Sequence, residues 1–158
     1  MVEWFAKSQN VVSQVLRVGH VYGPGEEKYM KVIPVMLRNA IFGKNIQQFG
    51  DGEEFRSFIY ITDVVEAIIK AIELDEYVGP INIVSEEKIR IRELIAKIIS
   101  ISKKDLTIEK KEVANPPRNL VFDNSKMKEY LITPGVKLDE GLKIEYDYFR
   151  ELLIEDIF

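Results

Sequence analysis

Short apolar runs alternate with amphipathic helical patterns along this chain, and that alternation restricts its fold more than any other feature. Residues 15–18 (Val-Leu-Arg-Val) suit a buried strand. Tyr22-Gly23-Pro24-Gly25 then stops regular structure, because proline fixes φ and glycine supplies turns. A helix is expected from Pro34, where a first-turn proline loses no hydrogen bond it needs, to Gly43, which can take the left-handed cap. Residues 47–49 and 56–61 read as strands around the turn Gly50-Asp51-Gly52. The clearest helix covers 63–74. Asp63 and Glu66 form an Asp-x-x-Glu capping box there, Val64, Ile68, Ile69 and Ile72 share an apolar face, and Glu66 and Lys70 pair on the wet side.

Beyond it, Gly79-Pro80 precedes a strand at 81–84, and Leu94, Ile95, Ile98 and Ile99 mark a helix over 91–101. Residues 106–113 read as an edge strand, since Lys110-Lys111-Glu112 is too charged for a sheet interior. Asn115-Pro116-Pro117 is a loop, Asp123-Asn124-Ser125 caps a short helix to Leu131, and Asp139 caps a last helix towards Leu153. At the other end, residues 2–9 look helical, with Trp4 and Phe5 as the bulky apolar positions. Strands and helices in alternation mean a mixed α/β fold, and 158 residues suffice for a single domain over 1–158.

A net charge of -4 opposes nucleic acid and anionic membrane surfaces as partners, though a local basic site for a small phosphorylated ligand is compatible with it. With 0 cysteines, disulfides, thiolate metal sites and thiol nucleophiles are excluded. No apolar run approaches the ~20 residues that span a bilayer. Together these point to the cytoplasm.

Four motifs carry the chemistry. They are Arg17-Val-Gly-His-Val-Tyr-Gly-Pro-Gly25, Val32-Ile33-Pro34, Phe49-Gly50-Asp51-Gly52 and Arg56-Ser-Phe-Ile-Tyr-Ile-Thr-Asp63. In that order and spacing they resemble the substrate half of NAD-dependent nucleotide-sugar epimerases and dehydratases, in the extended short-chain dehydrogenase/reductase family. The likeness implies a partial Rossmann-like fold, the C-terminal part of the family's α/β architecture.

It also implies roles. Arg17, Val21, Tyr22, Gly23, Pro24 and Gly25 match the family's Arg-x-x-Asn-x-Tyr-Gly-Pro-Gly segment, with His20 where an asparagine usually touches the nucleotide-sugar. His20 is then either a substrate contact or a tolerated replacement. Val32 opens the helix beside the base. Phe49 lies against base or ribose in the family, although by itself it reads rather as a core aromatic of a hairpin, and the resemblance makes the two readings even. Arg56 matches a diphosphate ligand, and a guanidinium suits that task because its planar fork grips phosphate oxygens bidentately. Arg118, in Asn-Pro-Pro-Arg ahead of Asp123-Asn124-Ser125-Lys126, matches a second. An isolated arginine would read as a solvated surface charge; two at matched positions read as a diphosphate site. Tyr60-Ile61-Thr62-Asp63, Asn82 with Ser85, and Leu138-Asp139-Glu140-Gly141-Leu142 match structural positions, whereas Arg90 stands where the family has a capping Ser or Thr and Ile132 where it has glycine.

The family's full enzymes also need a Gly-x-x-Gly-x-x-Gly turn for NAD and a Tyr-x-x-x-Lys pair for proton transfer. No glycines here recur with that spacing, and none of the 7 tyrosines is followed by lysine four residues later. The expectation is a chain without the N-terminal dinucleotide-binding half, holding no catalytic, cofactor or metal residues. It would bind a nucleoside-diphosphate sugar and be inactive alone, with NAD belonging to the full-length family. A non-catalytic binding module and a truncated remnant are the alternatives. Strands 15–18 and 81–84, parted from the family's large sheet, would expose edges and apolar faces. A homo-oligomer or a separate N-terminal half is the expected partner.

Overall fold

The structure, a computed structural model, describes residues 4, 8, 11–114 and 118–155, those at 154 and 155 by their backbone only. Trp4 and Ser8 are helical and exposed; the rest of the expected helix over 2–9, Phe5 included, lies outside the described residues, as does Asn115-Pro116-Pro117. Seven strands and five helices follow among the residues described: β1 (Leu16–Val18), β2 (His20–Tyr22), α1 (Val32–Ile41), β3 (Ile46–Phe49), β4 (Phe55–Tyr60), α2 (Ile61–Ile72), β5 (Ile81–Ile83), β6 (Lys88–Arg90), α3 (Ile91–Ser102), β7 (Ile108–Lys111), α4 (Ser125–Tyr130) and α5 (Leu138–Glu155).

The strands form three small sheets. β1 pairs with β5 in parallel, β4 lies between parallel β2 and antiparallel β6, and β3 pairs in parallel with β7. β1 and β2 are nearly one strand that changes sheets at Gly19. Its N–H donates to Ile83 O at 3.1 Å, and any Cβ at this position would meet Val84 Cγ1 at 2.7 Å, so only glycine allows the approach. The expected hairpin around Gly50-Asp51-Gly52 does not form. β3 turns instead to β7, and β4 to β2 and β6. The glycines make the turn, but each strand finds its partner far along the chain, which turn chemistry alone does not encode. β7 lies at a sheet edge, as its charges require.

The main core gathers Leu37 and Ile33 of α1, Leu94, Ile95 and Ile98 of α3, and Leu142 and Phe149 of α5 over Tyr22, Phe58 and Tyr60. A smaller one joins Ile59, Val64, Ala67, Ile81, Ile83 and Met127. The expected apolar face of α2 is corrected here. Val64 is buried with Ala67 and Ala71, while Ile68, Ile69 and Ile72 are 40%, 52% and 79% exposed. Small alanines let α2 lie close to its sheet, and the large isoleucines stand outside.

Helix ends differ from expectation in the same direction, with tertiary partners displacing local caps. α2 starts at Ile61, and buried Asp63 accepts hydrogen bonds from Gly135 N (3.2 Å) and Val136 N (3.3 Å) instead of capping its own helix. Asp139 sits inside the first turn of α5 and pairs with Lys97 at 2.5 Å, while Glu87 receives the N–H of Leu138 at 3.1 Å. Arg90 cannot accept a hydrogen bond at the start of α3, but the Glu93 carboxylate accepts the Arg90 N–H at 3.1 Å and restores half of a capping box. Lys70 pairs with Glu73 at 2.8 Å. Gly43, at φ 67, closes α1 as expected. No helix of the described residues is long and apolar enough to cross a membrane.

Candidate functional site

One cavity of about 580 Å³ opens between β2, β4, β3 and the start of α1. Its floor is apolar, with Ile33, Phe58 and Ile91 beneath it. Four residues singled out from the sequence converge on it: His20 from β2, Val32 from α1, Phe49 from β3 and Arg56 from β4. Phe49 is 55% exposed and is therefore not the core aromatic of a hairpin. Alternation explains its placement, since Ile46 and Gln48 face the core and Gln47 and Phe49 do not.

The backbone ladder sets the distance between the polar groups. His20 stands opposite Phe58 in the parallel pair, and Arg56 lies two residues earlier on the same face of β4. The Arg56 guanidinium donates through Nη1 to Phe55 O (3.1 Å) and Arg118 O (2.5 Å), with Glu54 Oε1 at 3.9 Å from Nη2. Arg118 is exposed and outside the cavity lining, yet the segment carrying it is docked on β4. Leu120 N donates to Phe55 O, and Phe55 N to the Asn119 side chain, both at 2.9 Å. Leu120 reaches the cavity wall. Arg56 is thus tied to the backbone of Arg118 through one carbonyl.

Partial burial, then Arg56, then Lys31 lower the pKa of His20, so the imidazole is neutral near neutral pH. Burial acts first on Tyr22 and Tyr60 as well, raising both phenols and leaving them protonated. Neither is disposed to act as a base. Lys31, paired with Glu26 at 3.3 Å, and Glu54 also line the cavity and were not anticipated from the sequence. The only local sign of Glu54 was its spacing two residues before Arg56. Such a site offers a planar aromatic surface, an apolar floor, a neutral imidazole and two cations, and so suits a ligand that is part planar and part anionic.

β4 passes into α2 at Tyr60–Ile61 with no glycine between them, and α1 starts well after the turn that follows β2, so neither junction makes a glycine cradle at a helix N-terminus. Among the described residues, no three acidic or histidine side chains come together to hold a metal.

Comparison with known proteins shows the family and the fold. Residues 1–84 match the NAD dependent epimerase/dehydratase family, and the chain belongs to it. Among curated relatives, dTDP-4-dehydro-6-deoxy-D-allose reductase of Streptomyces bikiniensis is 32% identical over 86% of this chain and 43% of its own length. UDP-N-acetyl-alpha-D-glucosaminuronate decarboxylase of Bacillus cytotoxicus is 32% identical over 91% of this chain and 48% of its own length. Of solved structures, UDP-glucose 4-epimerase of Thermotoga maritima with UDP-glucose superposes with a TM-score of 0.83 at 30% identity, over 96% of this chain and 50% of that one. UDP-glucuronic acid 4-epimerase of Bacillus cereus, with UDP-glucuronic acid and NAD, gives 0.84 at 30% identity, over 95% and 49%. The fold is therefore part of a Rossmann-like α/β fold, and the chain spans about half the length of the proteins it matches.

Proposed function

We propose that the cavity binds a nucleoside-diphosphate sugar and that this chain is the substrate-binding portion of a UDP-glucose 4-epimerase-like enzyme, inactive alone. The convergence of His20, Val32, Phe49 and Arg56 on one cavity, with Arg118 tied to Arg56, carries the reading. Phe49 takes the face of the base, and Val32 packs beside it. Arg56 and Arg118 take the diphosphate, with Arg56 turning from the Arg118 carbonyl to phosphate oxygens. Neutral His20 donates a hydrogen bond towards the sugar. The nucleotide-sugars in the two 30%-identical structures support the ligand class. NAD belongs to the dinucleotide-binding portion of the family fold, in keeping with the lack of a glycine cradle at the β2–α1 and β4–α2 junctions of this chain.

That portion also accounts for the surface around β1. Parallel strands are ordinarily buried on both faces, yet Val18 is 46% exposed and a groove of about 310 Å³ runs between Val12, Leu16, Ile68 and Ile72. The dinucleotide-binding portion covers this face, and in its absence the chain self-associates there. The compartment that suits this reading is the cytoplasm.

Melting the chain with UDP, dTDP, GDP or CDP sugars tests the site. A ligand at ~100 times its dissociation constant stabilises by about 2.7 kcal/mol, several degrees at roughly 2–4 °C per kcal/mol. Arg56→Ala should abolish the shift, and no shift with any of them would leave the remnant reading standing. Product formed by the purified chain from any of these sugars with NAD would overturn the inactivity.

A further inference from the structure

Beside the cavity two carboxyl groups meet, and one of them, Glu26, also lies 3.3 Å from the Lys31 ammonium. Glu26 follows the turn after β2, Glu145 comes from the second turn of α5, and their exposures are 7% and 0%. The two carboxyls lie within hydrogen-bond reach of each other. Apart from the backbone N–H of Gly23, which acts on Glu145, none of their four oxygens receives a hydrogen bond among the described residues, and the neighbouring Tyr22 hydroxyl is equally unpartnered. Two ionised carboxylates in contact, both out of water, would repel each other and each lose its hydration. A single proton between them removes both costs, because the protonated acid then donates a charge-assisted hydrogen bond to the remaining carboxylate.

We propose that Glu145 and Glu26 share one proton, and that this proton fastens the cavity-lining segment 26–31 to α5.

The surrounding charges agree. From the segment, Glu26 and the cation Lys31 act on Glu145, and the backbone N–H of Gly23 points at it. Tyr22 of β2 and Tyr60 of β4 face it as protonated phenols, with Glu87 and Asp63 acting on Tyr22 and Glu140 on Tyr60. α1 and α3 meet α5 through apolar side chains, Leu37, Leu94 and Ile98 among them. A pair that keeps one proton carries a single negative charge, which Lys31 balances at 3.3 Å from Glu26. Burial, and after it Glu26, pushes Glu145 up to about 9. A folded value raised above the unfolded one gives stability that is complete below the unfolded carboxyl range, declines as pH rises, and is gone above about 9. Glu26, Met30 and Lys31 all line the cavity, so the same proton steadies one of its walls.

Side-chain carboxyl NMR of the wild-type protein, carbon-13-labelled at glutamate and titrated from about pH 4 to about pH 10, reads the pair directly. One glutamate carboxyl should titrate more than about two pH units above the reference value, and amides of residues 23–31 should lose hydrogen-exchange protection over the same range. Glu145→Gln keeps a permanent donor. It should abolish the high titration, hold residues 23–31 protected at alkaline pH, and flatten the fall in melting temperature on the alkaline side. Glutamates that all titrate near the reference value would overturn the shared proton, and that wild-type result decides even if the variant fails to fold. Parallel pH profiles for variant and wild type would overturn it too.

Discussion

Gly141 is where α5 comes closest to β2, and replacing it with alanine sets two known effects against each other. On helix propensity alone, Gly141→Ala in the interior of α5 should stabilise by about 1 kcal/mol. The added Cβ, however, would overlap Tyr22 Oη and lie 2.7 Å from Cζ and 2.9 Å from Cε2, all far inside the separation of ~3.5–4.0 Å at which carbon atoms attract. Tyr22 has little room to retreat. It is 2% exposed and packs edge-on against Tyr60 and Phe58, with ring centroids 5.3 Å and 6.3 Å away. Overpacking of a filled core costs about 1–3 kcal/mol, so the net effect is a loss of up to roughly 2 kcal/mol. Urea denaturation followed by circular dichroism should show a lower midpoint at unchanged slope. Adding Tyr22→Phe removes the atom in deepest conflict, and the double variant should recover most of the loss as a non-additive coupling. A Gly141→Ala protein more stable than the wild type would refute the packing argument, for propensity would then have won.

Asp63→Ala leaves the N–H groups of Gly135 and Val136 without their acceptor and should cost about 2–3 kcal/mol in the same assay; a loss well under ~1 kcal/mol would show that water replaces the carboxylate. Tyr22→Phe alone removes a buried hydroxyl that has no partner among the described residues, so it should be neutral or stabilise by up to about 1 kcal/mol, and measurable destabilisation would mean that the hydroxyl is satisfied. Ile69→Glu with Ile72→Glu changes exposed side chains and should leave stability within about 0.5 kcal/mol while lowering the mass seen by light scattering; a wild type already monomeric at micromolar concentration would remove the case for self-association.

Local periodicity was sufficient for α3, where Leu94, Ile95 and Ile98 are buried as their spacing demands. It failed for α2 because a helix face is chosen by what lies opposite, and the β5 side of the molecule admits alanine more closely than isoleucine. Capping residues were recognisable as such, but Asp63 and Asp139 answer to groups brought near by the tertiary fold, which no tripeptide spacing reveals. The strand order around β3 escaped for a related reason: glycine marks a turn without naming the strand that follows as its partner. His20, Val32, Phe49 and Arg56 come together on one cavity because their motifs are contiguous and lie on elements that the chain lays side by side. Glu26 and Glu145 could not be read as a pair. Their meeting depends on α5 folding back over the segment that follows β2, and neither residue has a local pattern to distinguish it from a solvated charge.

All but two of the side chains lining the cavity, Ile91 and Leu120 being the exceptions, come from residues 19–58. The cavity lining is therefore written mostly in one continuous stretch of the gene and attached to the last helix through Tyr22 and Glu26. Such a stretch can change while the α3–α5 packing is kept. Exchanging it between relatives together with Arg118, and keeping the two attachment residues, is the smallest transplant that would test whether the ligand proposed for the cavity follows these residues.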